Sequence, residues 1–277
     1  MTITASGTTT ATGPPEQTAP AETAPLPMPQ RPTFDTYDEE RRHRKQRLTA
    51  AIRLFGKYGY GEGISGHLSV RDPEHLDRFW VNPFGISFTR VRVADLICVD
   101  ADGRVVEGRH PLNPSAFVIH SHIHDRRPDA EAAAHGHTAN SRALGALGQL
   151  LEPIDQESAA FYERQVLYHD YLRPTVDDDL GEEIADYLGD NRAMLLAHHG
   201  LITVGGSIDE AAHWFFTYES CAQVQLLAQT AGSMHVMDET QARAARDGGF
   251  GSPHLGWFSF QLLWDEIVHE QPDLLEE

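Results

Sequence analysis

The sequence predicts a single α/β domain over residues 34–277, built around a mostly antiparallel or mixed sheet. Short runs rich in β-branched and aromatic residues are interspersed with segments whose apolar residues recur at helical spacing. These runs do not follow the strict strand–helix–strand order that a parallel sheet requires. The chain has 277 residues, which is enough for one domain with a substantial core.

A tail of residues 1–33 precedes this domain. It consists mainly of Thr, Ala, Pro and Gly, with almost no large apolar side chains. Such a segment cannot bury enough apolar surface to offset the entropy that it would lose on ordering. We therefore predict a disordered tail, with a functional leader peptide as the alternative.

The first part of the domain is predicted to be a helix followed by three short strands. After Tyr37, apolar residues recur at helical spacing at Leu48, Ala51, Ile52, Phe55 and Tyr58. Strand-like runs follow at residues 64–71, 78–83 and 95–100, and the sequence ADG closes the last of them.

The second part begins with a helix for which Asn113 is the predicted N-cap and Pro114 the first residue. Residues 130–137 (AEAAAHGH) and 193–206 (AMLLAHHGLITVGG) are each interpreted as one buried strand. Ser207 and Glu210 predict a capping box for a long helix that runs to about Ala231. The amphipathic segment WFSFQLLWDEIV ends the domain.

Composition excludes several classes of partner and site. The formal net charge is −19, from 41 acidic and 22 basic residues, and it disfavours binding to nucleic acid or to anionic membrane surfaces. No apolar run approaches the roughly 20 residues that span a bilayer, and the N-terminus lacks a secretory pattern. Cys98 and Cys221 support neither a disulfide framework nor a cysteine zinc site. We expect a soluble, cytoplasmic protein.

Histidine carries the chemistry that the sequence offers. On the strand of residues 130–137, His135 and His137 project from one face, and Gly136 leaves the opposite face open for close packing. His199 follows a second buried run and can meet this pair only through the fold. Three imidazoles from two strand ends predict a catalytic divalent-metal site with open positions, although a pair of structural histidines is the alternative. His198 is predicted to lie on the other side of its strand.

A second histidine group lies on the helix that begins near Asn113. His120 and His124 are four residues apart and could chelate a metal by themselves. His122 and His124 are expected to be solvated or to pack against the helix. For His120 a core role and a catalytic role stay open, because it shares a face with Ala116.

Five blocks, in chain order, resemble the class II aldolase and adducin-head family from about residue 41 to the end: SGHLSVR, NPFGISFTRV, DLICVD, NPSAFVIHSHIHDRRPDAEAAAHGHT and HHGLITVGGSIDEA. The resemblance implies an α/β/α sandwich around a central, largely antiparallel sheet. It also implies a divalent metal on His135, His137 and His199, and a homotetramer with the active site near a subunit boundary.

The chain departs from the sugar-phosphate aldolases of that family at the positions that matter for their reaction. Their catalytic glutamate corresponds to Ala116, which cannot relay a proton. The asparagine of their SGN motif corresponds to His67, and their paired phosphate-binding serines correspond to Pro114 and Ser115. A sugar-phosphate aldol cleavage is therefore not expected.

Within the family, the chain most resembles the bifunctional non-haem iron oxygenases of aminocoumarin antibiotic biosynthesis. This resemblance implies an Fe(II) enzyme that uses O2 to convert a prenylated 4-hydroxyphenylpyruvate, through a mandelate, to a 4-hydroxybenzoate. A zinc- or manganese-dependent aldolase or non-oxidative decarboxylase is one alternative. A non-catalytic adducin-like interaction module is another.

Candidate residues around the metal follow from this interpretation. His120 is the candidate catalytic residue. Glu157 or Glu163 could supply a carboxylate ligand, although a solvated or ion-paired surface position is the alternative. Aromatic and small side chains are candidates for contact with the substrate, with ordinary core packing as the alternative for the aromatic ones: Ser115, Ala116, Phe117, Phe161, Tyr162 and Trp257.

Overall fold

An eight-stranded sheet organises the chain in a computed structural model that describes residues 28–169 and 178–277. The strands are, in chain order, β1 (His67–Arg71), β2 (Phe79–Val81), β3 (Ile97–Val99), β4 (Val105–Glu107), β5 (Ala132–Gly136), β6 (Gln165–Tyr168), β7 (Ala193–Leu196) and β8 (Leu201–Gly205). Their spatial order is β4-β3-β2-β1-β5-β8-β7-β6. All neighbouring pairs are antiparallel except β6 and β7, so the predicted mixed, largely antiparallel sheet is confirmed.

Seven α-helices lie in the described residues. They are α1 (Tyr37–Lys57), α2 (Pro114–Arg126), α3 (Ala139–Leu147), α4 (Asp178–Leu188), α5 (Ile208–Ala231), α6 (Glu239–Ala245) and α7 (Pro253–Glu270). None of these described helices combines the length and the apolar character needed to cross a bilayer.

The core consists of apolar clusters on both faces of the sheet. On β5, Ala132 and Ala134 join a cluster with α1, α5 and α7, whereas Ala133 joins a cluster with α2 and α4. The alternation follows from the two-residue repeat of a strand, which sends successive side chains to opposite faces. Helices therefore cover both faces, and the predicted α/β/α sandwich is confirmed.

The predicted helix starts are confirmed, with one change at α5. The Asn113 side chain accepts a hydrogen bond from the Ser115 amide and caps α2. At α5, the Ser207 side chain accepts from the Glu210 amide as predicted. The Glu210 carboxylate, however, accepts from the Gly206 amide, one residue before the position that a capping box requires.

The prediction of one strand over residues 193–206 is wrong. The segment is a hairpin in which β7 and β8 pair antiparallel, with Leu195 opposite Leu201. His198 lies in the turn with a φ of 61°, and not on the opposite side of a strand. Periodicity could not show the turn, because both strands are buried on both faces and neither alternates between apolar and polar residues.

Of the predicted tail, residues 1–27 lie outside the described residues, and residues 28–33 contain neither helix nor strand. The compact unit that contains the sheet begins at Arg31. The Arg31 guanidinium donates to the Gly206 carbonyl at 3.2 Å, to the Glu210 carboxylate at 3.1 Å and to the Pro253 carbonyl at 3.1 Å. These contacts connect Arg31 to the amino ends of α5 and α7.

Candidate metal centre

The fold brings the three predicted metal ligands together. One ring nitrogen from each of His135, His137 and His199 lies within 4.8 Å of the others. The Nε2 atoms of His135 and His137 are 3.0 Å apart. Two nitrogens bound at right angles to one ion, with bonds of about 2.1 Å, would be separated by about 3.0 Å. The spacing therefore fits two ligands of one divalent ion.

The sheet register explains why these histidines meet. His135 lies near the end of β5 and His137 directly follows the strand, whereas His199 lies in the turn between β7 and β8. Gly136 is paired with Leu201, so the end of β5 lies beside the start of β8. Histidines that are more than 60 residues apart in sequence are thereby placed at one edge of the sheet.

Two glycines make this approach possible. A Cβ on Gly200 would lie 2.5 Å from the Gly136 carbonyl oxygen and 3.0 Å from Cδ2 of His137. A Cβ on Gly136 would lie 3.0 Å from the Phe215 ring, on the face that the sequence predicted to be open for close packing. Glycine at position 200 leaves room for the imidazoles of His135 and His137, and glycine at position 136 leaves room for the α5 ring of Phe215.

Hydrogen bonding and burial prepare the imidazoles to act as neutral ligands. Nδ1 of His135 is 3.0 Å from the Leu201 carbonyl oxygen, which can only accept, so Nδ1 carries the proton and Nε2 keeps its lone pair. Burial lowers the pKa of His135 well below its ordinary value and that of His199 to about 3. Burial and the nearby Arg142 also lower the pKa of His137. All three rings are thus uncharged at neutral pH.

Neither predicted carboxylate belongs to this group. Within the described residues, the cluster of potential ligands contains the three histidines alone. Glu157 is exposed. Glu163 forms ion pairs with Arg243 at 2.6 Å and with Arg246 at 2.8 Å. These arginines lower the pKa of Glu163 to about 2.

Two charged residues near the triad were missed by the sequence analysis. Arg142, in the first turn of α3, lowers the pKa of both His137 and His199, while Glu62 raises the pKa of His137. No spacing signal could have identified them, because their position beside the histidines depends on the loop before β1 and on the direction of α3.

His120 belongs to a buried polar network behind the triad. Its Nε2 is 2.6 Å from Nδ1 of His67, and its Nδ1 is hydrogen-bonded to the Ser69 hydroxyl. The same hydroxyl lies 2.8 Å from Nε2 of His124. The His67 ring lies against His135, with 4.7 Å between ring centroids. Both nitrogens of His120 are therefore engaged, and it is connected to the triad through His67.

The predicted substrate-contact residues do not form one group. Ala116 is fully buried in a small cluster with β2 and β3, and Phe117 packs against that cluster. Phe161 is fully buried against Trp214 and Tyr218.

The remaining candidates differ in exposure. Trp257 is 5 % exposed, so Trp257 and Phe161 have the core positions that the sequence left open as the alternative. Ser115 and Tyr162 are partly exposed. Phe117 also lines a cavity of about 760 Å³ together with His124.

Comparisons with known proteins agree with this architecture. Residues 46–226 match the family model described as the Class II Aldolase and Adducin N-terminal domain. The chain is 41 % identical over 249 residues to "Decarboxylase NovR" of Streptomyces niveus, which covers 88 % of this chain and 91 % of that protein. It is 40 % identical over 245 residues to the "4-hydroxy-3-prenylphenylpyruvate oxygenase/4-hydroxy-3-prenylbenzoate synthase" of Streptomyces roseochromogenus subsp. oscitans, which covers 88 % of each chain.

A solved structure has the same fold. The L-fuculose 1-phosphate aldolase from Glaciozyma antarctica PI12 matches with a TM-score of 0.82 and 38 % sequence identity. The match covers 89 % of this chain and 97 % of that one.

Proposed function

Because the chain belongs to the class II aldolase and adducin family and is related to NovR-type proteins, we propose that it is an Fe(II)-dependent oxygenase that oxidatively decarboxylates an aromatic 2-oxo acid. The observation that carries the proposal is a group of three uncharged histidines that includes no carboxylate ligand among the described residues, in a chain with Ala116 at the position of the aldolase acid. The names of the two relatives support the choice of substrate class.

His135, His137 and His199 would hold the metal. Fe(II), when bound, supplies the electrons that activate O2 and a Lewis acid for the 2-oxo carboxylate. In the part of the chain that the structure describes, no carboxylate joins the three histidines, so the ligands themselves do not offset the charge of the ion. Arg142 adds a further positive charge near His137 and His199, and Glu62 opposes it at His137. An anionic substrate is therefore favoured at this edge of the sheet.

The proposed substrate is a prenylated 4-hydroxyphenylpyruvate, and the reaction balances without an external reductant. In the first step, the 2-oxo acid and O2 give the mandelate and CO2, with one oxygen atom in the new hydroxyl and the other in the new carboxylate. In the second step, the mandelate and O2 give the benzoate, CO2 and water. Ala116 is compatible with this chemistry, because neither step requires the proton transfer that the aldolase glutamate performs.

The surrounding residues support the centre in different ways. We propose that His120 acts as a positioning residue, because it holds the ring of His67 against His135. Ser115, Phe117 and Tyr162 keep partly exposed side chains and remain proposed substrate contacts. We further propose a homotetramer, since related aldolase-fold proteins are typically oligomeric.

Oxygen uptake tests the proposed reaction. Protein prepared without O2 and loaded with Fe(II) is given 4-hydroxyphenylpyruvate or its 3-prenylated form, with zinc-loaded protein as the control. We expect O2 consumption and CO2 release with iron only. Iron-loaded protein that consumes no O2 with any arylpyruvate or mandelate would contradict the proposal.

A zinc- or manganese-dependent lyase is the second candidate. The likeness to the Glaciozyma antarctica aldolase favours it, since three histidines accept zinc, manganese and iron alike. In the same experiment, this candidate gives product in the zinc-loaded control and does not require O2.

A further inference from the structure

A polar cavity lies at the ends of β5, β7 and β8 that are farthest from the histidine triad. Its volume is about 570 Å³, and it is lined by residues before β5, at the start of β7 and at the end of β8. The triad lies at the other ends of these strands. Since β5 has five residues and a strand rises about 3.3 Å per residue, roughly 15 Å separates the two sites along the sheet.

Arginines dominate the lining of this cavity. Five of the 22 basic residues of the chain face it: Arg31, Arg127, Arg164, Arg192 and Arg246. Three of the five have carboxylate partners that also line the cavity, namely Glu210 for Arg31, Asp129 for Arg127 and Asp247 for Arg246. The fourth lining carboxylate, Asp190, raises the pKa of Arg127.

Neither Arg164 nor Arg192 forms an ion pair among the described residues, although Glu210 raises the pKa of Arg192 and Arg164 lowers the pKa of Asp247. Arg192 stacks on Trp214 with 4.1 Å to the ring centroid, and its Nη2 donates to the Gly251 carbonyl at 2.8 Å. Its Nη1 is buried without a hydrogen-bond partner. Burial lowers the pKa of Arg192 to about 10; the positive charges of Arg164 and Arg246 act in the same direction, and the Glu210 carboxylate opposes them.

We propose that this cavity binds a phosphate monoester, with its phosphate group held by Arg164 and Arg192. Five arginines and four carboxylates line the cavity, which leaves an excess of positive charge, and guanidinium geometry suits bidentate phosphate binding. The volume is in the range of about 300–1,000 Å³ that holds organic ligands, so there is room for more than the phosphate group. The site is separate from the metal centre and adds a binding function to this chain.

Calorimetric titration of the full-length, metal-loaded protein at constant ionic strength tests the proposal. The probes are inorganic phosphate and glycerol 3-phosphate. We expect Arg164→Ala to weaken binding about tenfold or more, because it removes a charge-assisted contact from an exposed position that folding does not require. The matched control is Arg104→Ala, an exposed arginine paired with Asp102 outside the cavity. It should leave the affinity unchanged.

Two further variants make the outcome decisive. Arg192→Lys keeps the charge but loses the planar contact, and it should also weaken binding. His199→Ala should leave binding intact, because the triad lies at the opposite edge. Tighter binding of the ester than of inorganic phosphate supports a phosphorylated metabolite as the ligand, and the reverse supports free phosphate. Unchanged affinity in Arg164→Ala, or loss of binding in His199→Ala, would overturn the proposal.

Discussion

At the scale of single residues, the metal centre depends on small side chains as much as on the ligands. The Leu201 carbonyl sets the tautomer of His135, and Gly200 leaves the space in which His135 and His137 converge. The spacing of His135 and His137 on a strand was visible in the sequence. The contributions of Leu201 and Gly200 were not, because both come from the neighbouring strand and its turn.

Gly200→Ala should damage both the fold and the metal centre. The new Cβ would lie 2.5 Å from a backbone oxygen and 3.2 Å from Cε1 of His135, and a backbone atom cannot give way cheaply. We expect a loss of about 1–3 kcal/mol in the free energy of unfolding, together with weaker metal binding. Urea denaturation and metal titration measure the two effects.

Gly248→Ala is the control for this substitution. A Cβ at Gly248 would meet no atom within 4 Å. Equal stability of the Gly200 and Gly248 variants would show that the close approach at Gly200 is not needed.

At the scale of elements, hydrogen bonds between the start of α3 and the helix α5 hold the segment that follows His137 in place. The Glu219 carboxylate, on α5, is buried and accepts four hydrogen bonds. The donors are the Thr138 hydroxyl at 2.6 Å, the Asn140 amide and side chain at 2.9 Å each, and the Ser141 amide at 2.9 Å. Thr138 directly follows His137, so α5 positions this histidine through the amino end of α3.

Glu219→Gln should therefore weaken metal binding with little change in protein shape. A glutamine has one acceptor oxygen and one amino group, so it cannot accept from donors on both sides of the carboxylate. We expect a loss in metal affinity of about 10–100-fold, the range found for residues that orient metal ligands. Titration with Zn²⁺ measures the affinity, and circular dichroism checks the fold.

Glu239→Gln, in the first turn of the short helix α6, provides the matched control. It should leave the affinity for Zn²⁺ unchanged. An equal loss in both variants would assign the effect of Glu219 to overall charge and not to positioning.

Two of the elements that the sequence missed share one physical cause. The helix α3 contains Gly145 and small polar residues, and β6 is a short edge strand that pairs with β7 alone. Neither gives a periodic apolar pattern over enough residues to be distinguished from a loop. The helices α2 and α5 were predicted with their starts, because neighbouring residues carry their caps. The helix α1 was predicted from its apolar spacing, and its cap at Thr36 was not identified.

At the scale of the whole molecule, buried histidines make stability depend on pH. Burial lowers the pKa of His124 to about 3 and that of His213 to about 4, whereas an unfolded histidine titrates near 6.5. Between these values the unfolded chain binds more protons than the folded one. Their contribution to stability is therefore present above about pH 6.5 and is lost as the pH falls towards the folded values.

For the metal-free protein, we expect the free energy of unfolding to decrease from pH 7.5 to pH 5.5. Each of these two histidines should contribute about 1.4 kcal/mol to the decrease. Urea titrations at the two pH values measure the decrease in the free energy of unfolding. The substitution His213→Gln should make this decrease smaller by about 1.4 kcal/mol. A free energy that stays constant over this interval would contradict the assigned burial.

The sequence by itself determined the fold class and the shared face of His135 and His137, because these depend on local periodicity. Block order identified the family, and the resemblance to that family added support for His199. The tertiary structure decided that residues 193–206 form a hairpin and that His120 is enclosed between His67 and Ser69. It also decided that five arginines gather at the opposite edge of the sheet. These features join residues that are distant in sequence, and only the register of the strands and the packing of the helices fix their distances.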